Sequence, residues 1–140
     1  MGQSVSRFYL DASCIIYLIE AASPFHTVVA ARLARDRADP SATVVTSRLS
    51  RLECRTRPLR EGNSSLLGAY DAFFSSNRLV LVEINGPVIE RATDLRARHS
   101  FKTPDAIHLA TAIDEGASVF LTGDAELVRC AELNVEVLRP

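Results

Sequence analysis

Four acidic residues of this chain occupy positions at which carboxylates could share divalent cations. Each one follows a predicted strand or lies on the partly apolar side of a predicted helix: Asp11, Glu53, Asp105 and Asp124. Acids that gather in such positions repel one another, and Mg²⁺ or Mn²⁺, which prefer carboxylate oxygens and water as ligands, would relieve that repulsion. The pattern favours metal-assisted hydrolysis of a phosphodiester over a pair of carboxylates that share a proton.

Asp11 and Asp124 come directly after the predicted strands 7–10 and 118–122. In open parallel sheets, sites form beyond the carboxyl ends of the strands, at the point where the strand order reverses. Two acids at two such ends could share one crevice. A helix also follows each strand, so an N-cap role is the alternative interpretation of both residues.

Glu53 lies in a predicted helix that is capped by Ser47, runs through residue 57 and is stopped by Pro58. At 100° per residue, Glu53 falls at the edge of an apolar side and away from an arginine side. The residues of the two sides are Leu49, Leu52 and Thr56, and Arg48, Arg51 and Arg55. Such a glutamate is partly desolvated and not placed for surface ion pairs. The alternative is a boundary residue whose carboxylate reaches solvent.

Asp105 has a similar position in the predicted helix 104–115. It shares an apolar stripe with Leu109, Ala112 and Ile113, while the pattern turns His108, Thr111 and Glu115 elsewhere. A carboxylate on a buried stripe needs compensation for lost hydration, which a cation would supply. Asp105 also lies in the first helical turn, where the helix dipole alone favours a carboxylate.

The elements that must position these acids alternate between strands and helices along the whole chain. This order predicts an α/β fold with a mostly parallel sheet and helices on both faces. The predicted strands are 7–10, 43–46, 79–84, 118–122 and 135–138. The predicted helices are 12–22 with Ser13 near its cap, 25–38, 48–57, 64–74, one ending near 99, one capped by Thr103, and 125–132.

Composition and charge narrow the class of protein. The 140 residues fit a single domain, and the hydrophobic fraction of 47% excludes a disordered chain. A net charge of −1 is poor for a nucleic-acid binder, but committing four acids to cations leaves 13 acids against 16 bases. Three cysteines without a C-x-x-C pair predict buried free thiols in a reducing compartment. No apolar run suits a membrane span or a signal peptide, so we expect a cytoplasmic protein.

Four sequence segments carry a resemblance to a known family. They are FYLDAS at 8–13, SRLECR at 50–55, KTPDAIHLATA at 102–112 and FLTGD at 120–124. In this order they resemble the four motifs of PIN domains, and they are most similar to those of VapC-type toxins of prokaryotic toxin–antitoxin pairs. Each motif alone is unspecific, whereas the ordered set spans nearly the whole chain.

The resemblance implies a three-layer α/β/α fold with a five-stranded sheet, formed by one nuclease domain across residues 1–140. It implies Mg²⁺- or Mn²⁺-dependent cleavage of RNA, a homodimer, and a small antitoxin protein as partner. Carried over by position, the metal-site acids are Asp11, Glu53, Asp105 and Asp124. Ser13 and Thr122 match the hydroxyl residues that support such a site. Asp11 and Asp105 are expected to carry the principal ion.

Two rival functions remain open from the sequence. The first is a housekeeping RNA-processing nuclease, or one that acts on DNA. The second is a catalytically silent nucleic-acid-binding module, against which the four intact acids argue. His26, His99 and His108 are not assigned catalytic roles. The arginines around Glu53 fit either a solvated helix face or a strip that contacts phosphates.

Overall fold

The computed structural model describes residues 6–140, in which five short strands form one parallel sheet. The strands are β1 (Arg7–Leu10), β2 (Thr43–Ser47), β3 (Leu79–Val82), β4 (Val119–Thr122) and β5 (Val135–Val137). Their order across the sheet is β3-β2-β1-β4-β5. The predicted number and direction of the strands are confirmed, although β3 ends two residues earlier than expected.

Helices cover both faces of the sheet and complete the three layers. They are α1 (Ala12–Ile19), α2 (Phe25–Arg37), α3 (Arg48–Arg60), α4 (Ser64–Phe74), α5 (Gly86–His99) and α6 (Thr103–Asp114), followed by a 3₁₀ helix (Ala125–Arg129). One hydrophobic core packs α5 and α6 against the sheet, and the other packs α1 to α4 against its opposite face.

The central strand β1 contributes to both cores. Tyr9 and Leu10 are both fully buried, and because successive side chains point to opposite faces they enter different cores. The Tyr9 ring stacks on Phe120 with 5.2 Å between the ring centroids. Burial on both faces explains why this strand shows no alternation of polar and apolar residues.

Helix ends differ from the predictions in several places. Helix α1 ends at Ile19 and the last helix ends at Arg129, each three residues earlier than predicted. Asp11, and not Ser13, is the N-cap of α1, because its side chain accepts a hydrogen bond from Cys14 N. Lys102, and not Thr103, occupies the N-cap position of α6. Helix α3 continues through Pro58 to Arg60. A proline inside a helix removes one hydrogen bond and crowds the carbonyl of the preceding turn, but Pro58 lies in the last turn of α3 and burial of its ring offsets part of this cost.

The orientation of α3 was predicted incorrectly. Its buried residues are the small side chains Ser50 and Cys54 together with Pro58, whereas Leu52 is 62% exposed. Cys54 lies over the Ala12 carbonyl, and Ser50 Oγ lies 2.7 Å from Thr46 Oγ1. Small residues allow α3 to approach the sheet and α1 closely, and this close approach outweighs burial of the leucine.

The cysteines confirm the expectation of free thiols. Cys14, Cys54 and Cys130 are buried and form no disulfide. Desolvation raises the pKa of each thiol, and the Asp11 carboxylate raises that of Cys14 further. The thiols therefore remain protonated and unreactive. Within residues 6–140, no helix is both long and apolar enough to cross a bilayer.

Candidate active site

The reversal of strand order places two of the predicted acids side by side. From β1 the chain passes to β2 and β3 on one side, and later to β4 and β5 on the other. Asp11 follows β1 and Asp124 follows β4, the strand that pairs directly with β1. The Asp11 amide donates to the Leu121 carbonyl oxygen at 3.2 Å. The crevice predicted at this switch point is therefore formed by adjacent strand ends.

Both carboxylate oxygens of Asp11 are held by neighbouring groups. Oδ1 accepts from Ser13 Oγ at 2.6 Å and from Cys14 N at 3.2 Å, and Oδ2 accepts from Thr122 Oγ1 at 2.5 Å. Ser13 and Thr122, which the family resemblance implied as supports of the site, thus both donate to Asp11. The cap interpretation of Asp11 is correct, since its carboxylate caps the N-terminus of α1 while it is oriented in the crevice.

Gly123 and Asp124 close the other side of the crevice. Asp124 N donates to Thr122 Oγ1 at 3.0 Å, and Asp124 Oδ1 accepts from Glu126 N at 2.9 Å, which caps the 3₁₀ helix. Gly123 N donates to Ser13 Oγ at 3.0 Å. A Cβ atom at residue 123 would lie 2.7 Å from Cε2 of Tyr17, so any larger residue here would force the Tyr17 ring to move.

Asp105 is half-buried in the first turn of α6 and shares a small cavity of about 160 Å³ with Asp124. Burial raises the pKa of Asp105 most, and the charge of Asp124 raises it next. Asp11 and Glu53 also raise this pKa, while His108 acts in the opposite direction. Asp105 therefore lies in the electrostatic field of the three other predicted acids.

Glu53 contacts His108, a residue of α6 whose side chain was expected to point away from the apolar stripe. Its Oε1 lies 2.5 Å from Nε2 of His108, whose side chain is only 5% exposed. His108 and Thr111 were expected to point away from the core, and both are buried. The signal was present in the spacing, since a residue three positions after Asp105 lies only about 60° away around the helix.

The arginines of α3 do not form a simple solvated face. Nη1 of Arg51 and Nε of Arg55 donate to Asp71 Oδ1 at 3.2 and 2.8 Å. Arg48 pairs with Glu83, and Arg57 pairs with Glu20. The partly buried arginines are thus neutralised by acids of the same chain.

The side chains of the site offer carboxylate oxygens, which are ligands that divalent cations such as Mg²⁺ prefer. Within residues 6–140, no three His, Cys, Asp or Glu side chains come together as a ready-made cage. Mg²⁺ is usually held by one or two carboxylates and keeps several waters, with substrate phosphates completing its shell. Oriented Asp11 and half-buried Asp105 fit such an open, all-oxygen site, whereas a closed cage or a thiolate site does not fit.

Solved structures with the same fold come from several prokaryotes. The chain resembles VapBC2 from Rickettsia felis bound to a promoter DNA fragment, with a TM-score of 0.76 and 17% identity over 95% of this chain and 99% of that one. It also resembles VapC20 from Mycobacterium tuberculosis, a sarcin-ricin loop cleaving toxin, with a TM-score of 0.73 and 19% identity over 89% and 95%. These TM-scores establish similarity of fold, and at such low identity they establish the fold alone.

Comparison of the sequence with known protein families identifies the family of this chain. No curated protein matches the chain in sequence. The family model of the PIN domain matches residues 8–133, which include all four acids and both supporting hydroxyl residues. This match covers most of the chain, and the three-layer architecture with its central parallel sheet agrees with it. The chain therefore belongs to the PIN domain family.

Proposed function

We propose that this protein is a metal-dependent endoribonuclease that hydrolyses RNA phosphodiester bonds. The observation that carries the proposal is the gathering of oriented Asp11, half-buried Asp105 and Asp124 at the ends of β1 and β4. Burial raises the pKa of Asp105 most, and Asp124, Asp11 and Glu53 raise it further, in agreement with this geometry. Four carboxylates close to one strand switch point repel one another and so lower the stability of the metal-free protein. A bound cation turns the same arrangement into a favourable one.

The roles of the residues follow from their positions. Asp11, fixed by Ser13 and Thr122, and Asp105 would hold the principal Mg²⁺ or Mn²⁺ ion. Glu53 and Asp124 would complete its surroundings, or help to hold a second ion or water. When bound, the ion lowers the pKa of a coordinated water and stabilises charge on the scissile phosphate. The protein contributes fixed carboxylates, and no covalent attachment to a side chain is required.

Metal dependence is the direct test of this function. Purified protein is expected to cleave RNA with Mg²⁺ or Mn²⁺, to lose cleavage with a chelator, and to regain it when metal is restored. Product formation on a labelled structured RNA measures the effect, and a DNA of the same sequence tests the DNA-acting alternative. Cleavage that persists after thorough chelation would reject the mechanism.

We further propose that the protein is the toxin of a VapBC-type pair, with a small antitoxin as its natural inhibitor. The similarity of fold to VapBC structures supports this proposal. An arginine from the antitoxin, reaching the carboxylates, would neutralise them bidentately. Homodimer formation stays a prediction from the family resemblance.

Expression in cells distinguishes a toxin from a housekeeping nuclease. Expression of the chain alone is expected to arrest growth, and co-expression of the adjacent small open reading frame is expected to relieve the arrest. Asp11→Asn, expressed to the same level, is the control and should leave growth unaffected. Harmless expression of protein with verified nuclease activity would exclude the toxin and leave the housekeeping enzyme.

A further inference from the structure

His108 is a buried, polar residue for which the proposed chemistry has so far provided no role. It lies on α6, one turn after Asp105, and only 4% of its surface is exposed. Both ring nitrogens have partners: Nε2 lies 2.5 Å from Glu53 Oε1, and Nδ1 lies 2.8 Å from the Tyr9 hydroxyl. A buried imidazole with both nitrogens occupied has a fixed ring orientation.

The ring is anchored from the side of the sheet. Tyr9 is fully buried in β1, and its hydroxyl also lies 2.9 Å from Ser47 Oγ, at the end of β2. Ser47 occupies the N-cap position of α3, yet its side chain makes no capping hydrogen bond. The two hydroxyls therefore connect the ends of two central strands to the imidazole.

The chemistry of the two contacts determines what the ring does. An ionised glutamate can only accept, so the hydrogen between Glu53 and His108 belongs to Nε2. Nδ1 accepts from the Tyr9 hydroxyl when the ring is neutral and donates to its oxygen when the ring is protonated, so the contact with Tyr9 holds in both states. In this arrangement the ring donates to one oxygen of Glu53 and leaves its second oxygen available.

Glu53 needs such a support more than the other acids do. Asp11 is fixed by three donors, whereas Glu53 has a longer side chain that is 32% exposed. A side chain of this kind samples several rotamers, and holding it in one of them has an entropic cost. Carboxylates that ligate metals are commonly held in one orientation by hydrogen bonds from residues that do not themselves bind the metal.

We propose that His108 is a positioning residue that holds the Glu53 carboxylate toward the metal site, with Tyr9 and Ser47 fixing the imidazole. This inference rests on the proposed metal-dependent function. His108 acts through Glu53 and touches neither substrate nor metal. The arrangement links the third sequence motif to the second, across 55 residues of chain.

Two substitutions test the contacts of the two ring nitrogens separately. His108→Asn ends at the depth of Nδ1 and can keep the contact with Tyr9, but it cannot reach Glu53. His108→Gln can present an amide N–H at the depth of Nε2 and so restore the donor to Glu53. We expect His108→Asn to weaken Mn²⁺ binding and to lower kcat about 10- to 100-fold, with the KM for RNA little changed. His108→Gln should recover most of both losses.

Calorimetric titration of metal-free protein with Mn²⁺ provides a readout that is independent of activity. Thermal unfolding of both variants shows whether each is folded at the assay temperature. Glu53→Ala, alone and combined with His108→Asn, completes a double-mutant cycle. If His108 acts through Glu53, the asparagine substitution should weaken Mn²⁺ binding no further in the Glu53→Ala background.

The possible outcomes are distinguishable. Equal losses in the asparagine and glutamine variants, or additive losses of Mn²⁺ affinity in the cycle, would reject the positioning role and leave His108 as a packing residue. Wild-type affinity in His108→Asn would reject it as well. Wild-type protein that neither binds Mn²⁺ nor cleaves RNA, with Asp11→Asn as reference, would instead reject the proposed function.

Discussion

Asp11→Asn is expected to lower kcat for RNA cleavage by about 10³-fold or more, which corresponds to ~4 kcal/mol of transition-state stabilisation. Asparagine keeps the shape of the side chain and one oxygen for the bonds from Ser13 and Cys14 N. It replaces the other oxygen by a donor that faces Thr122. The cap of α1 therefore survives, while the charge that would bind the cation is lost.

The measurement compares kcat, Mn²⁺ affinity and thermal unfolding of wild type and variant, purified in parallel to exclude a contaminating nuclease. Asp114→Asn is a matched control, because Asp114 is an exposed acid on α6 and lies outside the site. The control should keep wild-type activity. Retention of more than about a tenth of kcat by Asp11→Asn, with unchanged metal dependence, would remove Asp11 from the site.

Asp105→Asn is expected to abolish most activity, with a loss of about 10²-fold or more, and yet to leave the metal-free protein equally or more stable. Burial and the neighbouring acids raise the pKa of Asp105 in the folded state. The ionised form is therefore disfavoured in the native protein, and a neutral isostere removes this penalty. Since the site is partly open to solvent, we expect a gain of at most about 1 kcal/mol.

The sign of the pH dependence follows from the direction of this shift. Below the unfolded pKa of about 3.9, Asp105 is protonated in both states and destabilises neither. As pH rises from this value through the raised folded pKa, Asp105 ionises more readily in the unfolded state than in the folded state. The wild-type protein therefore loses stability over this range, whereas the asparagine variant does not. The difference in unfolding temperature should therefore grow in favour of Asp105→Asn between about pH 4 and pH 7.

Thermal unfolding of chelator-treated protein across this pH range measures the effect. The measurement at low pH is the control, because the unfolding temperatures of the wild type and of Asp105→Asn should converge there. A large loss of stability at neutral pH would show that the helix dipole is the main partner of Asp105. Addition of Mn²⁺ should stabilise the wild type and leave the variant unaffected, since a ligand stabilises only the state that binds it.

Local signals in the sequence were sufficient for the strands and for the acids at their ends. Short apolar runs followed by Asp11 and by Gly123-Asp124 predicted two strand ends, and the parallel arrangement predicted that both lie at one edge. The hydroxyls of Ser13 and Thr122 lie at Asp11 as the motifs implied. These predictions succeeded because strand direction and the position of an end are decided within a few residues.

Helix orientation could not be predicted in the same way. The sequence of α3 favours burial of its leucines, yet Ser50 and Cys54 are buried and Leu52 is exposed. A periodic pattern shows which side is most apolar, whereas the buried side depends on which neighbours approach most closely. The pairing of Arg51 and Arg55 with Asp71 follows from the same docking of α3 against α4.

The sequence by itself determined the class of fold and the two strand ends that Asp11 and Asp124 follow. Only the tertiary structure decided that His108 is buried, that it meets Glu53 from another helix, and that Tyr9 supports its ring. The physical reason is separation along the chain. Contacts across 55 and 99 residues depend on how helices and strands pack together, and no local pattern encodes that packing.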